Sequence, residues 1–132
     1  MHYDVLVKAV TRAKADANIS SLVGTKVYNN VPKDTIQPPY LVVRWGEAVD
    51  MADKSDRFTE GELIFDYWTA TDGDVEVLKM MDYLHAEFNG TPLVLTLGST
   101  NLLMTSTGYN TFLESDGLSH HGIMTFNLLI ED

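Results

Sequence analysis

The side chains that could do chemistry in this chain are few and poorly grouped. Four histidines occur, His2, His85, His120 and His121. His120 and His121 are adjacent in a run with strand character, so their side chains point to opposite faces and cannot chelate one ion together. Pairing either with His2 or His85 meets no metal-ligand spacing, and solvated or strand-edge histidines are the expected reading. The chain has no cysteine, which excludes disulfides, thiolate metal sites and cysteine nucleophiles. Carboxylates are plentiful, and Asp66, between Phe65 and Tyr67, is the most interesting of them. It is expected at a subunit boundary or in solvent, ahead of the alternative of a perturbed acid in a cleft. No G-x-S-x-G elbow, G-x-G-x-x-G turn or phosphate loop occurs. The sequence therefore predicts no enzyme, no metal and no cofactor.

Length and composition fit that reading. The 132 residues suit a single domain spanning 1–132, long enough to bury a core without staples. Apolar residues make up 45% of the chain, which excludes wholesale disorder. Met1-His2-Tyr3-Asp4 has neither a basic region nor an apolar run, so no signal peptide is expected. No apolar run approaches the roughly 18 residues that would span a bilayer, and a soluble protein is expected.

The net charge is −10, unevenly spread. Residues 1–46 hold six basic groups (Lys8, Arg12, Lys14, Lys26, Lys33, Arg44) against three acidic ones, a net of +3. The remainder holds three basic groups and sixteen acidic ones, a net of −13. Gripping nucleic acid needs clustered Lys and Arg, so sequence-specific nucleic-acid binding is not expected. Acidity can serve solubility alone, or opposite charges can help copies of the chain meet head to tail.

The elements that must position these groups follow from periodicity and punctuation. Leu6, Ala9, Val10, Ala13 and Ala17 recur at helical spacing, which predicts a helix over 3–18, with Asp4 able to cap its start. Asn18-Ile19-Ser20-Ser21 would end it, and Gly24 punctuates a turn into a short strand over Thr25–Tyr28. Pro38-Pro39 then leads rigidly into an apolar strand over 39–48. There Leu41, Val43 and Trp45 share one face, and Val42 and Arg44 the other. Glu47–Arg57 carries Glu47, Asp50, Asp53, Asp56, Lys54 and Arg57, together with Met51. It is too charged to be buried, and is read as a mobile arm or long hairpin tip. The strand over 58–71 bears large apolar groups on both faces and is expected to be central. Carboxylates at Asp72 and Asp74 open a helix over 75–88, with Val77, Leu78, Met81, Leu84 and Phe88 on one side and Asn89-Gly90 as its stop. Strands over 93–97 and 102–112 follow. A turn at Asp116-Gly117 precedes a last strand with Met124, Phe126, Leu128 and Ile130 on one face. The pattern predicts an α+β fold, a mostly antiparallel sheet of about five to six strands with two helices packed on one face. Trp45, Tyr67, Trp68 and Tyr109 cannot all face one helix layer. Core is the expected reading, with a subunit interface as the alternative for some.

Taken in order, these segments resemble the tail-completion, or tail-terminator, family of long-tailed phages and related gene-transfer particles. The resemblance rests on Leu22-Val23-Gly24-Thr25-Lys26-Val27-Tyr28, Pro39-Tyr40-Leu41-Val42-Val43 and Leu63-Ile64-Phe65-Asp66-Tyr67-Trp68. It continues through the helix ending at Leu84–Phe88 with Asn89-Gly90, and through His121-Gly122-Ile123-Met124-Thr125-Phe126. The doubled proline at Pro38 and the short acidic stretch around Gly73 depart from it. What the resemblance implies is a structural virion subunit, assembled in the host bacterial cytoplasm, that forms a ring, usually hexameric, on the end of the tail tube. Its implied partners are other copies of itself, the tail tube protein and the head–tail connector, with DNA passing through the lumen and no membrane involved. The alternatives are another neck or minor tail protein, such as a head-completion subunit, or a small α+β ligand-binding domain or enzyme. Candidate assembly or lumen contacts are Trp45, Glu47, Asp50, Met51, Asp53, Lys54, Asp56, Arg57, Asp66 and Trp68.

Overall fold

A computed structural model describes residues 2–30, 36–52, 57–69, 74–115, 117 and 119–132. Among these, three helices and five strands follow in the order α1 (Tyr3–Ala15), α2 (Ala17–Val23), β1 (Val27–Tyr28), β2 (Tyr40–Ala52), β3 (Arg57–Trp68), α3 (Val75–Phe88), β4 (Thr100–Leu113) and β5 (His120–Glu131). The strands form one sheet in the order β1-β2-β3-β5-β4. Only the β1–β2 pairing is parallel; the other three are antiparallel. The expected α+β class is the observed one, and β3 is central as its two apolar faces require.

The N-terminal helix is not continuous. Asp16 adopts an extended conformation, and its carboxylate accepts the Ile19 N–H at 2.8 Å, which starts α2 afresh. A short acidic side chain competes with the helix for its own backbone, and here it becomes an N-cap. Asn18 to Ser21, expected to end a helix, lie inside α2. Asp4 does not cap α1 either: it is buried in the first turn and accepts the Thr96 N–H at 2.8 Å.

That bond also explains why 93–97 is not a strand. Leu93 N–H is taken by Asn101 Oδ1 at 2.8 Å and Thr96 N–H by Asp4, so the segment is pinned by side chains instead of a ladder. Helix α3 has the expected bounds, but its buried side is Val77, Met80, Met81, Leu84 and Phe88, with Leu78 turned outward.

All three helices cover one face of the sheet. Val5, Ala9 and Ala13 of α1, Ile19 and Val23 of α2 and the buried side of α3 share one core cluster with Leu41, Val43, Leu63, Phe65, Tyr67, Met124, Phe126, Leu128 and Ile130. Those sheet residues alternate along their strands, as a half-covered sheet requires. Fully burying a side chain such as Phe65 or Phe126 stabilises by roughly 1.5–3 kcal/mol. Helix α3 sits so close that a Cβ on Gly122 would lie 2.6 Å from Val77 Cγ2 and 2.8 Å from Met81 Cε. Gly122 is therefore a point of close approach between helix and sheet. No described helix is long and apolar enough to cross a membrane.

Candidate assembly surface

Among the described residues, no helix lies on the opposite face of the sheet. Strand register places Tyr40 beside Trp68, Trp68 beside His121 and His121 beside Phe112. The rings make one row across the sheet. Tyr40 and Trp68 stack with centroids 5.1 Å apart, Trp68 and His121 stack at 4.1 Å, and Phe112 meets His121 edge-on at 4.7 Å. Tyr28 of β1 extends the row, 6.5 Å from Tyr40. Cross-strand ring pairs of this kind add to sheet stability beyond their buried area.

A chain of charges runs alongside. Arg44 Nε donates to Asp66 Oδ2 at 2.7 Å, His121 Nε2 lies 3.1 Å from Asp66 Oδ1, and His121 Nδ1 lies 3.1 Å from Glu114 Oε1. Both imidazole nitrogens face carboxylate oxygens, so the arrangement is fully satisfied when both carry protons. Asp66 is only 4% exposed. Burial would raise its pKa, but the hydrogen bonds and charges of His121 and Arg44 outweigh burial and hold it below the usual carboxylate range.

Two expectations are corrected here. Of the two places expected for Asp66, a subunit boundary or solvent, solvent is overturned: it is the buried centre of an ion-paired chain. Nor is His121 a solvated histidine: its side chain is 12% exposed, between two carboxylates and on the Trp68 ring. Sequence reasoning missed the link because Asp66 is 22 residues from Arg44 and 55 from His121. The available signal was that Arg44 and Asp66 each share a strand face with the aromatic row.

The candidate residues at the hairpin end separate. Trp45 lies on the helix-covered face, its ring occupying the space a Cβ of Gly61 would need, at 2.3 Å, with the His2 ring 6.0 Å away. Trp45 is thus half-buried core, whereas Trp68 belongs to the open face. Of the two readings of the segment over 47–57, the long hairpin is the observed one: β2 continues through Glu47, Asp50 and Met51 to Ala52, beyond its expected end at Ala48, and stays paired with β3 as far as Arg57, with a register shift between Trp45 and Ala48. Asp50 turns to the helix side, where it accepts from Thr59 Oγ1 at 3.1 Å, and Thr59 Oγ1 also reaches Asp132 at 3.1 Å. Asp53, Lys54 and Asp56 lie outside the described residues. Glu47, Glu60 and Glu62 gather with Val49, Gly61 and Asn127 around a surface depression of about 140 Å³. Asn127 Nδ2 donates to Glu60 there at 2.8 Å.

The basic groups of the first 46 residues are mostly occupied within the chain. Lys8 pairs with Asp4 at 3.6 Å, Arg12 donates to the carbonyls of Thr91 and Pro92, and Lys26 donates to the Gln37 carbonyl at 2.8 Å. No three His, Asp or Glu side chains among the described residues gather as a metal site.

The class that this fold and face define is a small α+β subunit with one side of its sheet left open. The chain belongs to the tail completion protein gp17 family, which it matches over residues 8–131, and it is a structural component of a phage-type virion tail. Its fold is shared with a chain in a solved structure described as the virion of a native gene transfer agent particle. That match has a TM-score of 0.86 at 19% identity, covering 96% of this chain and 93% of the other. No curated protein sequence matches it.

Proposed function

We propose that this protein caps the end of the phage tail tube as a ring, hexameric as in the resembled family. Capping ends tube polymerisation and forms the joint to the head connector. The observation that carries this reading is the family match over residues 8–131, nearly the whole chain. The shared fold with a chain of a gene transfer agent virion supports a place in a particle.

Physically, a cap must accept a tube subunit on one side and refuse another on the opposite side. A head-to-tail ring joins two different surfaces of one chain, and the unlike edges of this sheet offer two such surfaces. The hairpin end over 47–57 is the part that meets the tube or the lumen. Glu47, Glu60 and Glu62, turned toward the lumen, keep phosphates from sticking as DNA passes, because like charges repel. Assembly with purified tube protein tests the reading. Tubes of regulated length, with rings at their ends by electron microscopy, are expected. Unregulated long tubes in the presence of excess chain would overturn it. Deleting Asp50–Asp56 is expected to disturb tube length or head joining; unchanged tails would remove the hairpin end from the mechanism.

A further inference from the structure

Strand β4 is the outer strand on its side of the sheet, 14 residues long. From Thr100 to Leu113 it contains no charged residue and no proline. Soluble proteins ordinarily blunt such an edge with charge, proline or a covering segment, because its unpaired backbone is a template for another strand. Among the described residues, bonds from the segment after α3 reach only its first half: Leu93 N–H donates to Asn101 Oδ1, Gly90 N–H to the Met104 carbonyl and Ser106 N–H to Asn89 Oδ1, each at 2.8 Å. Past the irregularity between Ser106 and Gly108, the strand runs in unbroken register with β5 from Gly108 to Leu113.

The direction of its free groups is fixed by its neighbour. His120 N–H and C=O both bond Thr69, on the β3 side of β5. Opposite pairs in an antiparallel ladder alternate, so the backbone groups of Leu113, Thr111 and Tyr109 point away from β5. None of them bonds another described residue. Tyr109, Phe112 and Leu113 are exposed beside them, at 51%, 43% and 54%.

We propose that the free edge of β4 over Gly108–Leu113 is where the next copy of this chain adds the outer edge of its β2, continuing the sheet from subunit to subunit. This rests on the ring reading above. The occupant follows from the two edges. On the far side of the sheet β1 pairs with β2 at Leu41 and Val42, and no other described strand pairs with the outer side of β2 from Arg44 to Ala52. That edge carries Glu47 and Asp50, so pairing it with its own copy sets like charges together. The neutral β4 edge accepts an acidic strand without that repulsion. Pairing β4 with another β4 would close a two-fold dimer and stop, whereas β4 with β2 is heterologous and propagates to a ring.

Since the chain has no cysteine, single substitutions report the contact directly. The full chain carrying Thr111→Cys and Val49→Cys together, treated with a short bifunctional thiol cross-linker, is expected to give a ladder up to the ring size. A mixture of the two single variants is expected to stop at dimers, and Thr111→Cys alone to give none. Dimers from Thr111→Cys alone would overturn the proposal in favour of β4–β4 pairing. Thr111→Pro removes an outward N–H without touching the ladder to β5, and is expected to weaken association about tenfold or more. Leu113→Lys, a charge on the edge, is expected to act the same way should the proline variant misfold. Rings of the unsubstituted chain by light scattering and microscopy, with no 111-to-49 cross-link in the double variant, would sink this contact while leaving the ring. A chain that caps tubes as a monomer would sink both.

Discussion

The two faces of the sheet solve different problems with the same strands. On the helix side, Leu63, Phe65 and Tyr67 of β3 meet an apolar layer from three helices, and stability comes from close packing. One residue out of step, Ile64, Asp66 and Trp68 meet no described helix, and order there comes from ring stacking and a chain of charges. An open sheet face need not be soft. Its side chains are fixed by partners across strands, which leaves a defined surface available to other proteins.

The sharpest way to break this contrast is to damage the covered face. Phe65→Ala is expected to cost about 3–5 kcal/mol by urea denaturation, because Phe65 packs against both Phe88 and Phe126. A loss below 1 kcal/mol would mean that the helix layer is not the main source of stability. Gly61→Ala comes next, at about 1–3 kcal/mol, since a methyl cannot coexist with the Trp45 ring where it stands. Tryptophan emission is expected to shift as that ring is displaced.

On the open face, Asp66→Asn keeps the shape and removes the charge. Arg44 is half-exposed and solvent screens its pairing, so the expected cost near neutral pH is about 1 kcal/mol. The pH dependence has a definite sign. The carboxyl titrates lower folded than unfolded, so its stabilisation is present above the unfolded value, about 3.9, and is lost as pH falls through the folded one. The gap between unsubstituted chain and variant is therefore expected to close on acidification below pH 4; a gap that widened would contradict the assigned network. Smallest of all, Val49→Thr on the exposed hairpin is expected to change stability by less than about 0.5 kcal/mol. A larger thermal shift would show that this residue is part of the fold and not only of a surface.

The legible parts of the sequence were those with local signals. Helix α3 has acidic residues before it and Asn89-Gly90 after it, and β5 alternates strictly from Gly122 to Ile130. Both are present as expected. The break at Asp16 was hidden because alanine and apolar spacing continue across it, while a cap depends on one side chain's choice of partner. Leu93 to Leu97 has strand composition, but tertiary hydrogen bonds from Asp4 and Asn101 override it. The long hairpin could be read from sequence only as one of two alternatives, arm or hairpin tip, because exposed β-ribbon needs no apolar alternation. The Asp66 network was the least legible, since nothing in the residues near Asp66 names partners brought alongside by β2 and β5.

The methionines of the core have a consequence for ageing. Met80, Met81, Met104 and Met124 are all nearly inaccessible, and Met81 meets the sheet at the glycine that α3 rests on. Oxidising a thioether to the sulfoxide makes it polar and bulkier, which that contact cannot absorb. Peroxide reaches these sulfurs only when helix and sheet part. The rate at which they oxidise in a stored particle is therefore a clock for how often the subunit opens, running without any label.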